Sequence, residues 1–382
     1  MKFKLIIFST LFLFTGCTVN DVYSISRAAI SKDPSLALKS LAKSKAISYA
    51  QNPNKLSKDL SFLSSFVNKI TESWGKDNVK IPKQKEYVKY LQNYKSRALI
   101  DFDNGLVTVE TLDTKESLKN AIVTTLLLPD DPRAADLFGA KKIKLGDTPY
   151  LLGEVKDDQN KDIRYQWRAN RYADILIKSR LKEKNIKDGN KNLKVTYVTI
   201  PMIKDHASVR VKKFKPFVEK FARRYNLSKN LVYAIIKTES NFNQFAVSSA
   251  GAFGLMQIVP SSAGQDAYKY VKGKNHKPSS SYLFNAQNNI ELGSAYIDIL
   301  NSKYLKGINN KISKEYCVIS AYNTGSGNVL KTFSKNRNSA INIINKKSAL
   351  EVYNTLKNNL PYKETRRYLN KVITYKKEFV NI

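Results

Sequence analysis

At 382 residues the chain exceeds what one hydrophobic core commonly organises, and its 42% hydrophobic and 11% aromatic content excludes disorder throughout, while 25% charged residues exclude a multispanning membrane protein. A net charge of +33, from 65 Lys and Arg against 32 Asp and Glu, points to anionic surroundings such as nucleic acid, lipid head groups or an acidic polymer. The company these lysines keep with asparagine and isoleucine is also what a biased source genome would write. Two cysteines, Cys17 and Cys317, and two histidines, His206 and His276, cannot build a zinc cage or a disulfide framework, so no metal or other cofactor is expected.

The N-terminus sets the compartment. Lys2 and Lys4 precede the apolar run Leu5 to Phe14, which is shorter than the roughly 20 residues of a spanning helix and reads as a signal peptide over residues 1–16. Phe14-Thr15-Gly16-Cys17 looks like a bacterial lipobox, with Cys17 the acylated first residue of the mature chain and Phe14 where leucine is usual. Thr18 rather than aspartate follows, which favours an anchor in the outer membrane facing the periplasm. Export removes the chromosome from reach, so no nucleic acid partner is expected, and the positive charge is left to meet lipid or cell-wall polymer. Cys317, within Tyr316-Cys317-Val318-Ile319, reads as a small core residue.

Residues 17–70 read as the lipidated cysteine followed by a tether with a helix or two, its amphipathic stretch being Leu36, Leu38, Leu41, Ala42 and Ile47. Residues 71–204 read as an α+β domain. Leu99, Ile100 and Phe102 alternate ahead of Asp103-Asn104-Gly105, and Leu106 to Thr111 follows; Asn-Gly between two such runs predicts a hairpin with a type I′ turn. Asp113-Thr114-Lys115-Glu116 has the form of a capping box opening a helix through Leu118, Ile122 and Leu126 that stops before Pro129. Further strands are expected at Lys142 to Leu145 and Leu193 to Met202, with a helix between them around Tyr172 to Leu181. After Pro201 the strand signals vanish, and residues 205–382 read as an all-helical domain.

In that helical part Ser228 is a good N-cap, and Leu227 with Val232 can form a hydrophobic staple. Val232, Ile235, Ile236 and Glu239 stand at i, i+3, i+4 and i+7, which places a carboxyl on the apolar face near the helix C-terminus. Desolvation and the negative helix end both favour its protonated form, and a proton donor at neutral pH is what cleavage of a glycosidic bond needs. A glutamate paired with a lysine, or turned outward at a fraying end, fits the periodicity as well.

The following residues narrow the choice. Glu239-Ser240-Asn241-Phe242-Asn243-Gln244-Phe245, Ser248, Gly251 and Gly254-Leu255-Met256-Gln257 resemble the signature of lytic transglycosylases of the goose-lysozyme-like, soluble type, with Gln244 in place of the usual proline. Leu283-Phe284-Asn285, Asn289-Ile290, Gly293 and Tyr296 resemble the middle element of that family. Ala321-Tyr322-Asn323-Thr324-Gly325 resembles a family loop, with Thr324 replacing its first glycine, and Pro361 with Glu364 to Tyr368 resembles the last motif. Upstream, Trp74-Gly75, Tyr87 to Tyr90, Asp101 to Gly105 and Asp130-Asp131-Pro132 resemble membrane-bound lipoprotein members of the same family.

The resemblance implies a lysozyme-like catalytic domain acting on peptidoglycan glycan strands. It implies that Glu239 alone protonates the linkage between N-acetylmuramic acid and N-acetylglucosamine, then takes the proton of the muramoyl C6 hydroxyl, closing a 1,6-anhydro ring without water. It assigns Ser248, Gln257, Tyr322 and Tyr368 to substrate binding or to positioning Glu239, and Gly251 and Gly254 to close backbone approach. Outside that pattern, Ser248 reads as a loop cap, Gln257 as a buried amide satisfying the backbone around Gly254, and both tyrosines as core-edge residues. An ion pair with Arg366 or Arg367 is expected for Glu364, a loop-shaping role for Asn323, and surface or linker positions for His206 and His276. The α+β domain offers no catalytic constellation. Two other readings stay open here: a hydrolytic muramidase on the same scaffold, and a non-catalytic peptidoglycan-binding lipoprotein.

Overall fold

The computed structural model describes residues 68–130, 145, 148–189 and 191–380. The signal peptide, Cys17, the stretch Leu36 to Ile47 and the expected strand at Lys142 to Lys144 lie outside the described residues; Leu145, which closes that stretch, belongs to no strand.

The N-terminal part is an antiparallel five-stranded sheet of β1 (Glu86–Leu91), β2 (Ser96–Asp101), β3 (Leu106–Thr111), β4 (Lys182–Asp188) and β5 (Lys191–Pro201), in the order β1-β2-β3-β5-β4. Helices α1 (Lys115–Leu126) and α2 (Gln166–Arg180) pack against each other and against this sheet. The sheet also carries a buried ion pair, Arg97 Nε to Glu110 Oε2 at 2.7 Å, with the Arg97 guanidinium 3.7 Å above the Trp74 ring.

The hairpin foreseen at Asn104-Gly105 is present, but its turn differs. Asp101 pairs with Leu106, so four residues form the loop, and among them only Gly105 is left-handed, with φ 63°. The Asp101 carboxylate accepts from Asp103 N, Asn104 N and Asn104 Nδ2, fastening a wider loop than a type I′ turn. Gly105 is required for a second reason: a Cβ there would lie 2.7 Å from His206 Nε2. The β1–β2 hairpin gave no sequence signal, because its left-handed residues are Gln92, Asn93 and Tyr94 rather than glycines.

Helix α1 is capped by Thr114, whose side chain accepts from Ser117 N, so Thr114 and Ser117 occupy the places expected of Asp113 and Glu116. Helix α2 begins at Gln166, earlier than Tyr172; Arg168 and Arg171, in its first two turns, are both held by the buried Asp157 carboxylate. Strand β4 was not foreseen: it lies at the sheet edge, mostly exposed, so its sequence alternates little.

From His206 onward the described residues form helices: α3 (His206–Arg224), α4 (Lys229–Ser240), α5 (Ala263–Lys272), α6 (Ser280–Phe284), α7 (Ala286–Ile299), α8 (Lys311–Thr324), α9 (Ser326–Lys331), α10 (Arg337–Lys346), α11 (Ala349–Asn359) and α12 (Lys363–Glu378), with a π-helical turn, Leu300–Tyr304, continuing α7. Helix α4 is central. Leu231 to Ile236 are all buried, α12 and α3 pack against it, and burial on nearly all sides rather than one stripe holds it in place. Ser228 is its N-cap residue, but its side chain makes no capping hydrogen bond. Cys317 is a free, fully buried thiol of α8, pushed up to about 12 by burial, which agrees with a core role.

The two parts meet over an aromatic seam. Tyr87 and Tyr150 of the α+β part reach Phe245 of the helical part, at 5.5 Å and 5.2 Å, with Phe102 behind Tyr150, and Phe245 continues to Phe284. Beside the seam Arg210 is paired with Glu154, both essentially inaccessible to solvent. His206, the first residue of α3 at the domain boundary, is half-buried: its Nδ1 lies 3.0 Å from the Arg210 guanidinium, and burial, then that positive charge, lower its pKa.

Candidate active site

Helix α4 carries Glu239 in its last turn, only 9% exposed, on the apolar face to which its spacing assigns it. Burial pushes its carboxyl up to about 8; the nearby Tyr368 hydroxyl pulls the value back somewhat, and the negative charge of Glu364 pushes it further up. Two tyrosines from different helices face this carboxyl. Tyr368 of α12 is buried, and burial followed by the Glu239 charge raises its pKa well above the ordinary value. Its hydroxyl has no fully formed hydrogen-bond partner among the described residues, so the contact with Glu239 is close electrostatic proximity rather than an aligned bond. Tyr322 of α8 is raised by the same two causes, and its hydroxyl donates to Met256 O at 2.8 Å.

The loop after α4 is fastened from several sides. Ser240 Oγ donates to Leu255 O at 2.8 Å. Gln257, itself left-handed at φ 48°, donates from Nε2 to Gly254 O at 2.9 Å and Ala246 O at 3.2 Å. The amide therefore does satisfy the backbone around Gly254, but its buried Oε1 finds no partner among the described residues. Gly254 has φ 75°, and a Cβ there would lie 2.3 Å from Asn289 Nδ2 and 2.4 Å from Leu283 O. Gly251 is also left-handed, its N–H donating to Ser248 O at 3.1 Å. Ser248 Oγ accepts from Ala250 N at 3.2 Å and Ala252 N at 3.0 Å and makes no hydrogen bond to Glu239.

The fold thus brings Glu239, Tyr322 and Tyr368 together, joins Gln257 to them through the Met256 carbonyl, and places Ser248, Gly251 and Gly254 in the loop that shapes the site. Asn289, a residue of the middle element, has a structural role that the motif alone does not show. Fully buried, it accepts from Met256 N at 2.8 Å and donates to Phe253 O and Leu283 O, so it organises that loop. Asn323 lies within α8 rather than in a loop and accepts from Thr365 Oγ1 at 2.7 Å, tying α8 to α12. Glu364 forms no ion pair with Arg366 or Arg367 among the described residues; Arg366 donates to Asn358 O instead, and the charge of Glu364 acts on Glu239. Also among the described residues, no group of three or more His, Cys, Asp and Glu is arranged to hold a metal ion.

Known proteins show the family of the chain. A family model described as "Membrane-bound lytic murein transglycosylase C, N-terminal domain" matches residues 49–213, and one described as "Transglycosylase SLT domain" matches residues 216–345. A protein of Haemophilus ducreyi named membrane-bound lytic murein transglycosylase C is 42% identical over 333 residues, 86% of this chain and 90% of its own length. The chain belongs to the membrane-bound lytic murein transglycosylase C family. A second member, from Klebsiella pneumoniae, is 43% identical over 83% of this chain and 88% of its own. Among solved structures, an inactive mutant of the lytic transglycosylase Slt from Pseudomonas aeruginosa matches 42% of this chain at 26% identity and a TM-score of 0.33; the chain spans 23% of its length. Within this transglycosylase C family member, Glu239 and the loop to Gln257 lie inside the stretch that the SLT model matches.

Proposed function

We propose that the protein cleaves peptidoglycan as a lytic transglycosylase in which Glu239 is both general acid and general base. The single observation that carries the assignment of Glu239 is its buried carboxyl, held up to about 8 and facing two tyrosines, in the family's catalytic-type domain. A carboxylic acid protonated at neutral pH gives its proton to the oxygen linking N-acetylmuramic acid to N-acetylglucosamine as the bond to C1 breaks. The resulting carboxylate takes the proton of the muramoyl C6 hydroxyl while O6 bonds to C1. Atoms balance without water: a 1,6-anhydromuramoyl end forms, the other strand leaves with a hydroxyl, and Glu239 is protonated again.

Tyr322 and Tyr368 suit the charge cycle. Burial and the neighbouring carboxylate keep both phenols neutral; the Tyr368 hydroxyl remains a donor near the developing negative charge of Glu239, while Tyr322 gives its hydrogen to Met256 O. The unpaired Gln257 Oε1 can accept from an N–H or hydroxyl of the sugar. Ser248 keeps its hydroxyl hydrogen available while its oxygen caps the loop. Glu239→Gln is nearly isosteric and removes the proton cycle: clearing of purified peptidoglycan should cease while sedimentation with it persists. Clearing within a few-fold of the unsubstituted protein would reject Glu239.

The protein is membrane-associated, as the names of its relatives say of them, and no helix among the described residues is long and apolar enough to cross a membrane. We place the attachment at Cys17, acylated and seated in the outer membrane with the enzyme facing the periplasm. Cys17→Ala should move the protein from membrane to soluble fractions; retention in the membrane would overturn this attachment.

A further inference from the structure

The segment leaving the Glu239 helix is held not by the helical domain alone but by the α+β domain. Asn241, two residues after Glu239, is the C-cap of α4 with φ 47°, and Phe242 follows with φ 62°. Two consecutive left-handed residues, neither of them glycine, persist only where their surroundings over-determine them. Both side-chain hydrogens of Asn241 are spent across the domain boundary: Nδ2 donates to Phe102 O at 2.9 Å and to Asp103 Oδ1 at 2.8 Å, in the β2–β3 loop.

The next two amides do the same. Asn243 Nδ2 donates to Gln84 O at 3.1 Å, and Gln244 Nε2 donates to Asp130 O at 3.0 Å. The backbone N–H of Gln244 donates to the Tyr150 hydroxyl at 3.2 Å. A proline at position 244, as in the motif this segment resembles, could make neither of the Gln244 bonds. The substitution that looks like a departure in sequence is therefore a domain contact in structure. Behind these bonds the acceptors are themselves braced: Phe102 O also accepts from Arg210, Arg210 is paired with Glu154, and Lys213 joins Glu154 to the Tyr150 carbonyl.

We infer that the β2–β3 loop of the α+β domain sets the position of Glu239 through Asn241, which makes Asn241 and Asp103 positioning residues for the reaction. The inference rests on the assignment of Glu239 as the acid. The groups facing Glu239 are Tyr368 and Glu364 of α12 and Tyr322 of α8; Asp103 is bonded instead to Asn241 and paired at 3.1 Å with Lys85, within its own domain. Loosening the loop at Asp103 therefore acts on Glu239 only through the end of α4: the last turn frays, water reaches the carboxyl, and the proton is lost at lower pH.

The test uses the full chain and its Asp103→Ala, Asp103→Asn, Asn241→Gly and Glu239→Gln variants. It measures kcat, KM and thermal unfolding from pH 5 to 9 with purified peptidoglycan. Glycine keeps the left-handed conformation available and removes only the amide, whereas asparagine at 103 keeps an acceptor for Asn241. Asp103→Ala and Asn241→Gly should lower kcat by about tenfold with KM within about twofold, and move the alkaline limb down by about one pH unit, while Asp103→Asn restores both. Unchanged kcat and limb in Asp103→Ala and Asn241→Gly would overturn the inference. So would a fall in melting temperature alone, or a rise in KM alone. Should Asn241→Gly not fold, the Asp103 pair decides, since that side chain is about half exposed. A Glu239→Gln variant that still turns over would instead refute the assignment of the acid.

Discussion

The Tyr368 hydroxyl lies against the Glu239 carboxyl, and the two perturb each other in opposite senses: the phenol lowers the pKa of the carboxyl, and the carboxylate raises that of the phenol. Tyr368 thus moderates what burial does to Glu239. Removing its hydroxyl should push the carboxyl above about 8, so the alkaline limb of kcat/KM in Tyr368→Phe should move to higher pH, with kcat reduced. A pH profile of that variant checks the direction; a limb moved to lower pH would show that Tyr368 acts otherwise.

The raised pKa also has a signature in stability. In the folded chain Glu239 binds its proton up to about pH 8, whereas in the unfolded chain the value is the ordinary 4.5. The folded state holds the extra proton between those values, so this contribution is fully present below about pH 4.5 and is lost as pH rises to about 8. Glu239→Gln escapes the loss. Its melting temperature relative to the unsubstituted protein should rise from pH 5 to about pH 8 and level off above it, and a constant difference over that range would contradict a protonated Glu239.

Arg210 and Glu154 form the buried ion pair at the domain seam, and Arg210 additionally holds Phe102 O. Replacing one partner leaves the other charged and dry. Arg210→Met should cost about 3–5 kcal/mol of unfolding free energy in urea titrations, while the double change Arg210→Met with Glu154→Leu should recover most of it. Lys213, 3.3 Å from Glu154, places the expected cost of Arg210→Met toward the lower end.

At Gly254 the left-handed backbone and the approach of Asn289 and Leu283 O leave no room for a methyl group. Gly254→Ala should destabilise the fold by about 2–5 kcal/mol, combining a left-handed alanine with overpacking against backbone, and should impair turnover by displacing Gln257. Unfolding and kcat measured together would show both losses; a variant as stable as the parent would mean the loop relaxes freely.

Much of this was legible in the sequence because it depends on local pattern. The spacing of Val232, Ile235, Ile236 and Glu239 puts the carboxyl on the apolar face, and the motif that follows it favours the buried reading over an outward or lysine-paired one; the structure buries it, and desolvation then follows. The hairpin at Gly105 and the helix ending before Pro129 were signalled by residues with special backbone preferences. What escaped was set by tertiary contact. Strand β4 is polar because its edge position buries little, and the β1–β2 turn uses Gln92 and Tyr94 in conformations their identities do not advertise. For His206 the sequence offers a surface or linker position; it does stand at the domain boundary, but nothing local announces that Arg210 and Gly105 pack on it. In sequence Gln244 is only a departure from the usual proline, since its two bonds reach residues about a hundred positions away.

The decisive measurement is mass spectrometry of the muropeptides released from purified peptidoglycan by protein beginning after Cys17, beside its Glu239→Gln variant. Products one water lighter than reducing-end muropeptides, absent with the variant, are the predicted result. Reducing-end products, showing that water reaches the intermediate, or anhydro products persisting in the variant, would contradict it.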